Sequence, residues 1–290
     1  MMKLFTNDWQ RGKMDLNEAM TERHSVRMYT DEPVDKTQLD DIAAEVERCN
    51  AASGLHFQMA AGLEDAFCGY KTHYGRFSGV HNAIALVTKI DKPYDLHPAK
   101  KAPNAAEPTT DPIPPEEAGI EEKVGYYGEQ LALKLVQLGL ATSWAVLDDA
   151  ATGWWKLEPG ERVVWVLAFG HPARAGAKHH SKPLDSLCSL PANLGPNATL
   201  ADAPDWFRRG IEAASLAPTS LSQQPFHFTL KDTNATDSSA VSASPAVTSE
   251  KPLPIVSARA TPGLFAHVGL GCAKRNFEIG AGTDSFKWSN

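Results

Sequence analysis

The sequence predicts an α+β protein, and three observations carry that expectation. From Tyr126 to Leu138 apolar residues recur at helical spacing, with Leu131, Leu135 and Leu138 on one stripe and Ala132 and Val136 beside it. Two short, nearly continuous apolar runs, Ala83-Ile84-Ala85-Leu86-Val87-Thr88 and Val163 to Phe169, have the length and composition of buried strands. A helix, loop, strand unit occurs twice and closes each time on apolar-His-Phe-polar-apolar, at Leu55-His56-Phe57-Gln58-Met59 and at Phe226-His227-Phe228-Thr229-Leu230. Such a repeat suggests an internal duplication.

Taken in order, Met14 to Met20 reads as a short helix with Asp15 or Asn17 as its N-cap. Leu39, Ile42, Ala43 and Val46 mark a helix over about residues 37–49, and Leu55 to Ala60 alternates as a strand does. The strand at 83–88 follows. Residues 91–119 hold seven prolines and no regular stripe, which predicts a long loop, read here as a flap near a site or a disordered excursion. The helix opening at Tyr126 is followed by a turn over 139–144, the next strand ends at Gly170, and Ile211 to Ala214 begins the second copy of the repeat. Residues 231–250 form a Ser/Ala/Thr-rich, weakly structured tract. A last short strand over 253–256 precedes a helix over 266–280, with Gly280 as its C-cap.

At 290 residues the chain can bury a large core, and 42% hydrophobic with 22% charged residues is ordinary for a soluble globular enzyme. A net charge of −7 without a basic stripe argues against a nucleic-acid or anionic-membrane partner. Cys49, Cys68, Cys188 and Cys272 are scattered, so neither a metal centre nor a disulfide framework is expected. Without an apolar leader or a run of 18 apolar residues, the expectation is a cytoplasmic protein with free thiols.

The chemistry concentrates in Arg23-His24-Ser25-Val26-Arg27-Met28-Tyr29. If this segment is extended, residues 23, 25 and 27 point the same way and present two guanidinium groups and a hydroxyl to one ligand. A planar guanidinium holds phosphate oxygens through parallel charge-assisted hydrogen bonds, so the segment is a candidate phosphate clamp; the other reading is a solvated basic turn. The double His at 179–180 reads as a solvated turn, since no third ligand is near it in sequence.

The order helix, R-x-S-x-R, D-E-P-V (Asp31 to Val34), helix resembles the start of the FMN-dependent nitroreductase family. G-Y-Y-G-E at 125–129 followed by G-L-A-T-S-W at 139–144 is similar to that family's G-Y-x-x-E, helix, G-L-G-T-C-W. The strand ending in Gly170-His171-Pro172 resembles its G-Y-P, and Ala217-Pro218-Thr219-Ser220 with Gln224-Pro225-Phe226 its A-P-S-A-x-N-x-Q-P-W loop. Over about 15–184 and 205–282 the likeness is to the tandem, fused pseudo-dimer type. It implies a three-layer fold, with a mixed or antiparallel sheet flanked by helices, and two halves, 1–200 and a shortened 201–290.

The resemblance also implies a cofactor site. Arg23, His24, Ser25 and Arg27 would bind the ribityl phosphate of FMN, and Trp144, Ala145 and Val146 would pass beside the flavin ring. Lys182 would reach its phosphate or N1 side, and Pro218, Thr219, Ser220, Ser222 and Gln224 would contact it from the second half. The implied activity is hydride transfer from NAD(P)H through FMN to a nitroaromatic, quinone or similar small molecule, with no catalytic side chain and no metal, in a monomer or homodimer. Ser222 stands where the family has Asn, and Ala145 and Val146 where it often has Gly. These departures leave open a flavin-binding or sensory protein without turnover.

Overall fold

A computed structural model describes residues 14–73, 75–90, 115–148, 150–231 and 252–289. The prolines at 91–114 and the Ser/Ala/Thr tract at 232–250 lie outside the described residues. Among the described residues there are five α-helices and two four-stranded sheets, as the α+β expectation requires. No helix among them is long and apolar enough to cross a membrane.

Helix α1 (Leu16–Glu22) starts at Asp15, which accepts the backbone N–H of Glu18 at 2.9 Å while Glu18 returns the bond to the Asp15 amide. This capping box offsets two of the N–H groups that every helix start leaves without partners. Helix α2 (Lys36–Ser53) ends on Gly54, whose φ of 74° is a left-handed stop. The first sheet then takes β1 (Gln58–Ala60), β2 (Asn82–Lys89), β3 (Ala141–Ala145) and β4 (Glu161–Gly170) in the order β1-β2-β4-β3, all antiparallel.

β2 is apolar from Ala83 to Val87 because both faces of that stretch are covered. Ile84 and Leu86 meet Ile42 and Val46 of α2 and Leu131 and Leu135 of helix α3 (Pro115–Gln137). Ala83, Ala85 and Val87 face the layer formed by Val26, Tyr29, Phe67 and Trp155. At roughly 25 cal/mol per Å² of apolar surface, burial of both faces makes this strand a principal source of stability for the two clusters it joins.

The second sheet runs β5-β6-β7-β8, from β5 (Cys188–Ser189), β6 (Phe226–Leu230), β7 (Ile255–Ala260) and β8 (Lys287–Trp288). It is mixed: β6 and β7 are antiparallel, and the two short edge strands run parallel to their neighbours. Phe226, Phe228 and Leu230 alternate inward and pack with Phe207 of helix α4 (Asp205–Ala214) and Phe277 of helix α5 (Ala266–Ala281). The two sheets are tied through α3 and α5, which touch at glycines: Cys272 Sγ lies 3.3 Å from the Gly125 carbonyl.

Three expectations need correction. The strong helix opens at Pro115, not at Tyr126, so residues 115–119 are helical rather than loop; Ile120 and Val124, one turn apart, seat this first part on the core. Proline is suited to the first turn because it has no N–H to leave unpaired. Gly280 is not the C-cap of α5. A Cβ there would lie 2.5 Å from both the Cβ of Ala213 and the Arg209 carbonyl, so the glycine serves packing, and the helix stops at Gly282 (φ 83°). The run over 139–144 is not only a turn after a helix. Gly139 makes the turn (φ 78°), and Ala141 onward is strand β3.

Candidate active site

The phosphate-clamp segment is extended, as its spacing requires. After α1 the chain runs along the end of β3: Ser25 forms a parallel bridge to Thr142, and Val26 N–H donates to the Thr142 carbonyl at 3.1 Å. Val26 and Tyr29 turn inward, with the Tyr29 hydroxyl donating to the carbonyls of Val26 at 2.6 Å and Ala168 at 3.1 Å. That anchorage leaves Arg23, Ser25 and Arg27 facing a cavity of about 280 Å³, near the lower end of the roughly 300–1,000 Å³ usual for ligand sites.

The cavity lies between the segment 23–27 with the end of β3 and the 215–224 loop with the start of α5. One wall is Arg23 to Ser25, Arg27 and the Trp144-Ala145-Val146 stretch at the end of β3. The other is the 215–224 loop with Phe265, Val268, Gly269 and Cys272 at the start of α5. Of the residues expected to hold a cofactor, Arg23, His24, Ser25, Arg27, Trp144, Ala145, Val146, Pro218, Thr219, Ser220, Ser222 and Gln224 all line it, and Lys182 does not. Lys182 is tied to the loop instead. Its backbone N–H donates to Gln224 Oε1 at 2.6 Å and its Nζ to the Gln224 carbonyl at 3.3 Å.

Gln224 braces the loop. It is 2% exposed, its Nε2 donates to the Ser215 carbonyl at 2.7 Å, and its own N–H donates to Thr219 Oγ1 at 3.0 Å. These bonds hold a strained backbone: Leu221, Ser222 and Gln224 have φ of 52°, 55° and 44°, a region that costs a residue with a Cβ about 1–3 kcal/mol. Strain of this kind persists only where surrounding contacts fix it, and here it turns Leu221, 66% exposed, out at the mouth of the cavity.

The guanidinium groups are only partly paired by the protein. Arg23 is 3% exposed; its Nη2 donates to the Leu216 carbonyl at 3.4 Å, its Nε lies 3.6 Å from the Glu129 carboxyl, and its Nη1 has no hydrogen-bond partner. Arg27 Nε is likewise buried without an acceptor, and its side chain lies against Gly75 and near the ring of Phe77. Buried donors left unpaired are costly, so a site that keeps two of them beside a cavity is built to be completed by an anion.

The double His is not simply a solvated turn. His179 is half-buried with its ring 4.5 Å from that of His24, and His180 also lines the cavity. Burial, then the charge of Arg23 and the His24 ring, holds the His179 imidazole below its ordinary value. Sequence spacing could not have found this pair, because the contact joins segments more than 150 residues apart. Phe265 and the first turn of α5 were missed for the same reason. No group of His, Cys, Asp and Glu among the described residues could hold a metal ion.

Comparison with known proteins agrees with this architecture. The chain matches the family described as "Putative TM nitroreductase" over residues 15–97 and 113–281. Among solved structures it is similar to a "putative nitroreductase" from Thermotoga maritima MSB8, at 18% identity and a TM-score of 0.52, covering 93% of this chain and 85% of that one. A second, a "putative nitroreductase in complex with FMN" from Desulfovibrio desulfuricans, aligns at 21% identity and a TM-score of 0.42, covering 61% of this chain and 96% of that one. No curated protein sequence matches. With the family matched over most of the chain and the fold shared along nearly all of it, this protein belongs to the nitroreductase family.

Proposed function

We propose that this chain is an FMN-dependent oxidoreductase whose cofactor site is the cavity between the two halves. The observation that carries the reading is the pair of buried, unpaired guanidinium nitrogens, Arg23 Nη1 and Arg27 Nε, on one wall of a cavity whose opposite wall is a braced, strained loop. Arg23 and Arg27, with Ser25 between them, would hold the phosphate. Trp144 to Val146 and the 218–222 stretch would hold the ring. Bound there, FMN would supply the redox chemistry, taking hydride from NAD(P)H and delivering it to a nitroaromatic, quinone or similar small molecule. The protein's own part is to fix that group, exclude water with the apolar walls of Trp144, Phe265 and Val268, and leave an opening beside Leu221 for the second substrate.

The same reading takes residues 1–200 and 201–290 as two nitroreductase-like halves, the second shortened. It is supported by the order helix, strand, strand, helix, which occurs as α2-β1-β2-α3 and again as α4-β6-β7-α5, with the strand pair antiparallel both times. β5, at 188–189, pairs with the second sheet although it precedes that division.

The test is the visible spectrum of the purified full chain with FMN, before and after anaerobic addition of NADH or NADPH. Bound flavin that bleaches supports the reading. Tight flavin that neither nucleotide reduces would select the binding protein without turnover, and protein that ignores FMN removes the proposal. Within the site, Arg27→Ala should weaken FMN about 10-fold or more, because a sheltered anion loses a charged hydrogen-bond partner. Its thermal stability should change little, since the Arg27 side chain is half-exposed and its buried Nε makes no hydrogen bond within the protein, while the backbone bond from Ser78 survives the substitution. Unchanged flavin affinity in a folded Arg27→Ala variant would take Arg27 out of the clamp.

A further inference from the structure

Behind the clamp, in α3, lies a carboxyl group that the cofactor reading does not use. Glu129 is 0% exposed, and neither of its oxygens has a hydrogen bond of ordinary geometry. Its one close cation is Arg23, whose Nε stands 3.6 Å away. α5 faces it with Arg275, the thiol of Cys272 and the Asn276 amide, which is also buried without a partner of good geometry. On the cavity side of Arg23 stand His24, His179 and Arg27.

We propose that Glu129 is the positioning residue behind the phosphate clamp: it holds Arg23 by charge rather than by a hydrogen bond, and takes up a proton when a phosphate in the cavity draws on that same guanidinium. The inference rests on the cofactor reading and deepens it. Before binding, the buried carboxylate is offset by Arg23 at 3.6 Å and, beyond it, by Arg275. A phosphate dianion arriving on Nη1 adds negative charge at a place where the dielectric screens little, and repulsion is relieved most cheaply by neutralising the carboxylate. The balance is complete: the phosphate gains the Arg23 contact, solvent supplies one proton, and Glu129 becomes an uncharged acid. That proton is within reach at neutral pH, because burial pushes the Glu129 carboxyl from 4.5 up to about 7 even with Arg23 beside it.

A merely structural ion pair would not couple to the ligand, whereas the proposed one must. FMN is titrated calorimetrically into the flavin-free full chain in two buffers of different ionisation enthalpy, for the wild type and for Glu129→Gln and Glu129→Asp. The sign is diagnostic. The ligand's own phosphate, with a second pKa of about 6, can only release protons on meeting arginines, so net uptake has to come from the protein. Uptake is expected in the wild type and in Glu129→Asp, and none in Glu129→Gln. Wild-type affinity should also fall as pH rises from about 6.5 to about 8.5, about 10-fold for each unit by which binding raises the carboxyl, while Glu129→Gln lacks that fall. Wild-type binding without uptake overturns the inference even if the variants fail to fold. Uptake that survives in Glu129→Gln assigns the proton to His24 or His179 and also overturns it. Both outcomes leave the cofactor reading standing, whereas no FMN binding at any pH removes that reading and the inference with it.

Discussion

Gly271→Ala is expected to destabilise the chain by about 3 kcal/mol or more, although alanine in a helix interior is ordinarily worth about 1 kcal/mol over glycine. A Cβ at Gly271 would stand 2.0 Å from the Glu122 carbonyl oxygen and 2.7 Å from the Tyr126 nitrogen. Across the same crossing, a Cβ at Gly125 would stand 2.0 Å from the Val268 carbonyl oxygen. All of these are backbone atoms, so no rotamer change can make room and the helices themselves must separate. Separation strips contacts from both cores at once, because α3 carries Leu131 and Leu135 of the first and α5 carries Phe277 of the second. It also moves Val268, Gly269 and Cys272, which line the cavity. Urea unfolding of Gly271→Ala and Gly125→Ala checks this: both midpoints should drop well below the wild type. A rise in either would mean that the close crossing is not what these glycines serve.

The same glycines show why part of the fold was illegible in the sequence. The apolar stripe of α3 is plain from Leu131 onward. Its first three turns hold Gly119 and Gly125 and follow Pro112 and Pro114, and these breakers mask the helix that the Glu and Lys residues between them favour. In α5, Gly280 sits where a C-cap belongs by spacing, yet its role is contact with Ala213 and Arg209, which no local rule contains. The two long strands were legible because burial on both faces forces an uninterrupted apolar run, whereas β5 and β8, of two residues each, carry too few positions for any period.

Within the site, the Arg-Ser-Arg spacing makes the segment a candidate phosphate clamp beside the reading of a solvated basic turn, and the structure shows it extended with Arg23, Ser25 and Arg27 lining the cavity. The loop's strain was hidden because Leu221, Ser222 and Gln224 adopt left-handed backbone without being glycine. Glu129 was visible as part of a motif. Its pairing with Arg23 is a tertiary fact, since the two are more than 100 residues apart.

Titration of the flavin-free chain should saturate at one FMN per polypeptide, with the protein still monomeric by mass at saturation. The clamp residues Arg23, Ser25 and Arg27 come only from the first half, and the Pro218-to-Gln224 loop only from the second. The first half's counterpart of that loop, Cys49-Asn50-Ala51-Ala52-Ser53-Gly54, has no Ala-Pro or Gln-Pro. Cys49 to Ser53 is the last turn of α2, with Asn50 spent on the backbone of Phe57 at 2.8 and 2.9 Å. The second half's counterpart of the clamp, Pro204 to Arg209, is the start of α4, where Arg208 pairs with Asp205 and Arg209 donates to the Gly280 carbonyl. On the fused pseudo-dimer reading, each half has turned one part of a symmetric pair of sites into structure. The parts that remain meet once, across the cavity between the halves. Saturation at two flavins per chain, or binding that appears only with a dimer, would overturn the fused pseudo-dimer. It would leave membership of the family untouched, because that rests on the match along the chain and not on how its sites are counted.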